Sequence, residues 1–234
     1  MKFGIICAME EELKTLREAL QDERVVPIKD ITFYDGTIDH QEVVLVQSGI
    51  GKVQAGMTTA LMITNFDVDV VINSGSAGGI GAGLHVGDVV VASATAYHDV
   101  DATAFDYEYG QLPQQPLYYE TDANWVKQIM AAATATGLNA KTGLIVSGDQ
   151  FIAGKAATDK ILAHFPDALS SEMEGAAIGQ ACHQFKTPYV VIRAMSDVGD
   201  ENAGVSFDEF ILEAGKQSAA MLLALFAAQD QATD

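Results

Sequence analysis

Glu12, Glu174 and Asp197 are carboxylates placed where a chain of this kind does chemistry, each just past a short apolar run. A carboxylate can hold a proton for a leaving group, take one from an attacking water, or accept hydrogen bonds from hydroxyls. Burial and neighbouring charges decide which. Other apolar runs end in comparable fashion, at Met9, at Ser48-Gly49-Ile50-Gly51 and at Gly75-Ser76-Ala77-Gly78-Gly79. Further on come Ser147-Gly148-Asp149-Gln150-Phe151-Ile152, Glu172-Met173 and Ser196. Arg193 is almost the only cation among them. Acids, small residues and a few aromatics suit a neutral, polyhydroxylated ligand with an aromatic part, and suit a phosphate poorly. Each piece also has a plainer reading. Glu10, Glu11 and Glu12 are acids favoured in a helix's first turn. Gly75 to Gly79 reads as a tight turn, and Asp197 as a cap or turn former. Convergence at one sheet edge is what raises them above those readings.

The elements that must position this set follow from hydrophobic period. Strands are expected at 2–8, 31–38, 41–48, 69–74, 86–94, 140–147, 169–173 and 188–195. Helices are expected at 10–20, 49–66, 122–136, 155–164, 174–185 and 207–228. Asp39-His40 reads as a hairpin turn, 75–79 and 196–205 as loops, and 99–120 as one long aromatic, acidic loop. Strands alternating with helices at this spacing imply an α/β fold: one domain over residues 1–234, with a central mixed, largely parallel sheet flanked by helices. Ligands in such folds bind beyond the carboxyl ends of strands.

Composition narrows the function classes. Of 234 residues, 49% are hydrophobic and 19% charged, with 21 Gly and no Gly-X-Y period, which excludes disordered and collagen-like chains. The formal net charge of -19 disfavours nucleic acid and anionic membrane surfaces as partners. Cys7 and Cys182 are isolated in apolar segments, so a reducing, cytoplasmic setting is expected. The N-terminal apolar run is too short for a signal segment, and no run is expected to span a membrane. No phosphate-binding P-loop, dinucleotide fingerprint, nucleophile elbow or metal-ligand spacing occurs.

Eight segments taken in order, GIICAMEEEL, SGIGKVQA, INSGSAGG, VGDVVVA, DATAF-YEYGQLP, GLIVSGDQFI, SEMEGAAI and IRAMSDV, resemble the 5′-methylthioadenosine/S-adenosylhomocysteine nucleosidases of the nucleoside phosphorylase/hydrolase superfamily. The resemblance runs from Met1 to about Leu223. It implies hydrolysis of the N-glycosidic bond of adenosine thioethers, with 5′-deoxyadenosine a further candidate, releasing adenine without metal or cofactor. It also implies a homodimer. By that resemblance Asp197 is the general acid at purine N7 and Glu12 activates the water, with Ser76 and Arg193 beside that water and carboxylate. Glu174 accepts from a ribose hydroxyl next to the Met173 backbone. Phe151 stacks on the purine and the Ile152 backbone reads its edge. Met9, Ile50 and Phe207 surround the thioalkyl tail, and Gly78, Glu172 and Ser196 join the substrate-binding set. Phe105 and Pro113 match a segment that covers the partner's site. Ala102 stands where the family carries a larger aliphatic residue.

Three other readings compete. A phosphorylase of the same superfamily would need cations for its phosphate, and only Arg17, Arg24 and Arg193 occur as arginines, while Glu12 would repel an anion. A nucleoside-binding sensor would need neither Glu12 nor Asp197. A hydrolase for a related purine nucleoside stays open.

Overall fold

A computed structural model describes residues 1–231; residues 232–234 of the expected domain lie outside the described residues. Among the described residues ten strands form one sheet, in the order β10 (Tyr189–Asp197), β6 (Val89–Tyr97), β8 (Ala140–Ser147), β9 (Ala168–Glu172), β5 (Val70–Gly79), β1 (Lys2–Cys7), β4 (Gln41–Gln47), β3 (Ile31–Ile38) and β2 (Gln21–Ile28), with β7 (Tyr119–Glu120) beside β6. Its central run is parallel: β4 (Gln41–Gln47), β1 (Lys2–Cys7), β5 (Val70–Gly79) and β10 (Tyr189–Asp197). These strands are buried on both faces and therefore read as continuous apolar runs. Along β1, Phe3, Ile5 and Cys7 join one core layer and Ile6 the other. Helices α1 (Glu10–Ala19), α3 (Ala123–Thr136) and α6 (Ala203–Gln231) pack together on the first layer. Helices α2 (Lys52–Phe66) and α5 (Gly175–Phe185) pair over the second, and α4 (Lys155–His164) borders a third, smaller cluster.

The strand β5 pairs with β10 and β1 and then, at its far end, antiparallel with β9 (Ala168–Glu172). β9 continues to β8 (Ala140–Ser147), β8 to β6 (Val89–Tyr97), and β6 back to β10. The sheet thus closes on itself through β5-β10-β6-β8-β9, and the ring gathers the ends of β5, β8, β9 and β10 at one place.

Several expectations change. The glycine run 75–79 is strand, not loop: it continues β5 and pairs with β10 as far as Gly78 opposite Asp197. Strand β10 accordingly runs through Ser196 and Asp197, which were expected in a loop. An additional strand, β2 (Gln21–Ile28), pairs with β3 (Ile31–Ile38). It is mostly exposed and contains Pro27, as a sheet edge tolerates, so it lacks a buried strand's signature. Helix α2 starts at Lys52, because Gly49 and Gly51 take φ of 80° and 99°. The segment 99–120 is irregular apart from a single turn at Thr103–Phe105 and the two residues of β7. Residues Ala203–Gln229 are long and apolar enough to cross a membrane by length and composition alone, where no such run was expected. Ala214, Ala219, Leu222 and Phe226 of that helix are instead buried in the core. The Asp39-His40 turn forms as expected, both residues having positive φ, the geometry of a tight two-residue hairpin.

Candidate active site

Glu12 stands at the third position of α1, where a side chain can reach back to the helix entrance. Its Oε2 accepts from the backbone N–H of Ala8 (2.9 Å) and Met9 (3.2 Å). Its Oε1 accepts from the N–H and the hydroxyl of Ser76, both at 2.9 Å. The helix-start reading of this acid is therefore half the account: Glu12 is 3% exposed and also bonded to β5.

Glycines in β5 make the room. A Cβ at Gly75 would lie 2.7 Å from both Glu12 Oε1 and Arg193 Nη1. A Cβ at Gly78 would lie 2.8 Å from Asp197 Oδ1. The two glycines stand three positions apart along the strand, about 10 Å, with Ser76 and Ala77 between them. Asp197 accepts from the Gly199 N–H (2.9 Å) and from the Ser196 hydroxyl (3.0 Å). Burial pushes its carboxyl above the usual range, more than these donors pull it down, and Asp200 adds to the rise.

A second cluster closes the ring. Glu172 accepts from Arg193 Nη2, from the Ser147 hydroxyl and from the N–H groups of Glu174 and Gly175 at the start of α5. Burial opposes its charge, but Arg193 and these donors hold it below the ordinary range. Arg193 is fully buried and also donates to Asn73. Glu174 lies 3.6 Å from Arg193 and accepts from the Gly51 N–H at 2.8 Å. Burial, then the nearby Glu172, raises the Glu174 carboxyl to about 8. Two buried acids two residues apart thus hold protons very differently.

These groups line a cavity of about 340 Å³, within the range of small-molecule sites. Of the expected residues, Met9, Glu12, Ile50, Ser76, Gly78, Phe151, Ile152, Glu172, Met173, Glu174, Ser196, Asp197 and Phe207 all line it. Phe151 and Phe207 meet edge to face at 5.7 Å near Ile50, giving one wall an apolar, partly open end. Arg193 sits behind the wall, against Glu172, rather than on its surface. Phe105 and Pro113 are exposed and lie outside this chain's cavity. Sequence reasoning missed Asn73 and the glycine gap at 75; the signal for Asn73 is a polar side chain inside an apolar strand. Among the described residues, no group of His, Cys, Asp and Glu is arranged to hold a metal ion.

Fold and cavity together define an α/β protein whose sheet end encloses a cavity lined by acids and apolar side chains. A family model described as the phosphorylase superfamily matches residues 2–227. The 5′-methylthioadenosine/S-adenosylhomocysteine nucleosidase of Staphylococcus carnosus is 47% identical over 94% of this chain and 96% of its own length. A Neisseria meningitidis nucleosidase of the same name, solved with methylthio-immucillin-A, superposes with a TM-score of 0.95 at 45% identity, covering 97% of this chain and 99% of that one. The Streptococcus pneumoniae enzyme with 8-aminoadenine gives 0.93 at 51% identity, covering 97% and 100%. The chain belongs to the 5′-methylthioadenosine/S-adenosylhomocysteine nucleosidase family of the phosphorylase superfamily.

Proposed function

We propose that the chain hydrolyses the N-glycosidic bond of 5′-methylthioadenosine and S-adenosylhomocysteine, releasing adenine and the thioether-substituted ribose. The observation that carries this reading is that Glu12 and Asp197, each seated beside a glycine of one strand, both line a single cavity. A nucleoside laid along β5 meets one acid at its base and the other at its anomeric carbon. Asp197 gives its proton to purine N7 while the C1′–N9 electron pair leaves with the base. Glu12 takes a proton from the water whose oxygen bonds to C1′. Glycoside cleavage passes through an oxocarbenium-like state, and Glu174 holds a ribose hydroxyl beside the reacting carbon. Ser76 fixes Glu12, and Arg193 fixes Glu172. Phe151 stacks on the purine with Ile152 at its edge, while Gly78, Met173 and Ser196 complete the wall. Met9, Ile50 and Phe207 take the thioalkyl tail.

The same reading makes the protein a homodimer in which Phe105 and Pro113 of one copy cover the other copy's cavity. The free, buried thiols of Cys7 and Cys182 fit a reducing cytoplasm. Water rather than phosphate is favoured as nucleophile because Glu12 faces the anomeric side and Arg193 is already engaged by Glu172.

The test is to incubate the protein with methylthioadenosine, adenosylhomocysteine and inosine, with and without phosphate, and quantify free base. Adenine release from both thioethers without phosphate is expected. Strict phosphate dependence would move the chain among the phosphorylases, and tight binding without turnover would make it a sensor.

A further inference from the structure

The wall that carries Phe151 and Ile152 is a loop, and nothing in the cavity itself explains what holds it. The explanation lies behind it. After β8 the chain turns at Gly148, where a Cβ would stand 2.4 Å from His98 Cε1 and 3.0 Å from the carboxyl carbon of Asp99. The loop backbone is therefore seated directly on the residues that follow β6. One oxygen of Asp99, Oδ2, then receives two donors: the Asp149 N–H at 2.9 Å and Lys52 Nζ at 2.6 Å. Lys52 belongs to the first turn of α2, and its own N–H donates to Asp149 Oδ1 at 2.9 Å. The preceding N–H of α2, at Gly51, donates to Glu174. Two consecutive amides at one helix start thus hold the base loop and the sugar-side carboxylate.

We propose that Lys52 and Asp99 are positioning residues of the hydrolytic reaction, fixing the base-facing loop 148–152 to the same helix start that holds Glu174. The proposal rests on the reading of the cavity as a nucleoside site. Neither side chain lines the cavity. Both act through the backbone of Asp149. An ion pair on an open surface contributes little. This one is different, with side-chain exposures of 21% and 12%, and the Tyr97 ring lies 5.3 Å from Lys52 Nζ. An acceptor that already serves a backbone amide is held in one geometry, so Lys52 loses little freedom in meeting it. The distance between the purine wall and the sugar carboxylate is set by three short links, Asp149–Asp99, Asp99–Lys52 and Lys52–Asp149, around one helix turn. Displacing that frame moves the base wall away from a bound purine, a loss shared by the ground state and the transition state.

The test uses Lys52→Met, which keeps the aliphatic stem, Asp99→Asn, which keeps the shape, and the double variant. Free adenine binding by calorimetry reads the base wall without requiring turnover, and steady-state kinetics with methylthioadenosine reads the reaction. Adenine Kd and nucleoside KM are expected to rise together by about tenfold, with kcat changing by less than about threefold. The double variant is expected to be no worse than the worse single one, because both changes open the same clasp. Lys52→Arg is expected to restore part of the loss. A merely structural ion pair would lower Tm while leaving the adenine Kd of the folded protein unchanged, and that result overturns the proposal, as does simple additivity in the double variant. Should Asp99→Asn fail to fold, Lys52→Met and the adenine titration decide alone. Wild-type protein that binds adenine but releases none from methylthioadenosine would refute the hydrolytic reading while leaving the clasp to be judged on adenine affinity.

Discussion

Glu172 and Glu174 are separated by one residue, yet the first is held charged and the second is pushed toward its protonated form. Arg193 and two amides at the start of α5 stabilise the charge on Glu172. Glu174, with Arg193 farther off at 3.6 Å, meets burial and its neighbour's charge instead. A folded-state carboxyl raised from 4.5 to about 8 holds a proton that the unfolded chain has already released. Its contribution to stability is therefore full below about pH 4.5 and is lost as pH rises through about 8. Glu174→Gln removes that loss. In denaturant melts of the ligand-free protein, the stability of the variant relative to wild type is expected to climb from pH 5 to pH 8 and then level; a gap independent of pH refutes the assignment. Asp197 and Glu12 line the same cavity, and the proposed reaction gives them different roles. Asp197→Asn would remove the proposed proton donor and is expected to lower kcat by about 10²–10⁴ with the fold intact. Glu12→Gln is expected to lose hydrolysis while adenine Kd stays near wild type, since the base wall lies at the other gap. Loss of adenine binding with retained rate would contradict it.

The strand β5 shows how an element can be shaped by side chains it does not carry. Its last five residues, Gly75 to Gly79, have little intrinsic strand preference, and a sequence reader sees a turn in them. They form strand because β10 and β9 pair with them, and Gly75 and Gly78 leave the space that Glu12, Arg193 and Asp197 occupy. Gly75→Ala and Gly78→Ala are therefore expected to damage catalysis more than stability, since the displaced atoms are flexible carboxylate and guanidinium ends. The prediction is a loss of at least about 10² in kcat/KM with Tm changed by only a few degrees, by analogy with other ångström-scale displacements. Equal, modest losses in both quantities would argue against acid seating as the function of these glycines. The same physics explains what could be read from sequence. β1, β4 and the first half of β5 are legible because strands buried on both faces are continuously apolar. The cavity acids are legible through the motifs around them. Strand β2 is not, because an exposed edge with Pro27 reads as polar linker. The glycine strand and the buried Asn73–Arg193 contact are not, because their cause lies in partners far along the chain.

At the scale of the whole molecule, one face carries exposed apolar side chains. Val53 and Met57, four residues apart on α2, are 70% and 49% exposed, and Phe105 beyond β6 is 77% exposed. Between α2 and α5 lies a second concavity that includes Val53, Val100, Leu112 and Phe185. Exposed apolar side chains around a concavity suit an interaction surface. The long segment 99–120 borders it and carries Phe105 and Pro113 outside this chain's own cavity, as a segment reaching toward a second copy would. Met57→Glu tests the idea at small cost to the monomer, because glutamate is a good helix former at an exposed position. Buried at an interface between copies, the same charge would be unpaired and strongly unfavourable. Sedimentation is expected to give twice the chain mass for wild type and a single chain mass for Met57→Glu, with Tm of the monomer fold little changed. Specific activity of the variant is expected to fall, and to recover partially as protein concentration rises, if Phe105 and Pro113 of a second copy cover the cavity as proposed. A Met57→Glu protein that stays dimeric places the contact elsewhere. One that becomes monomeric at undiminished activity shows that each cavity is complete within its own chain.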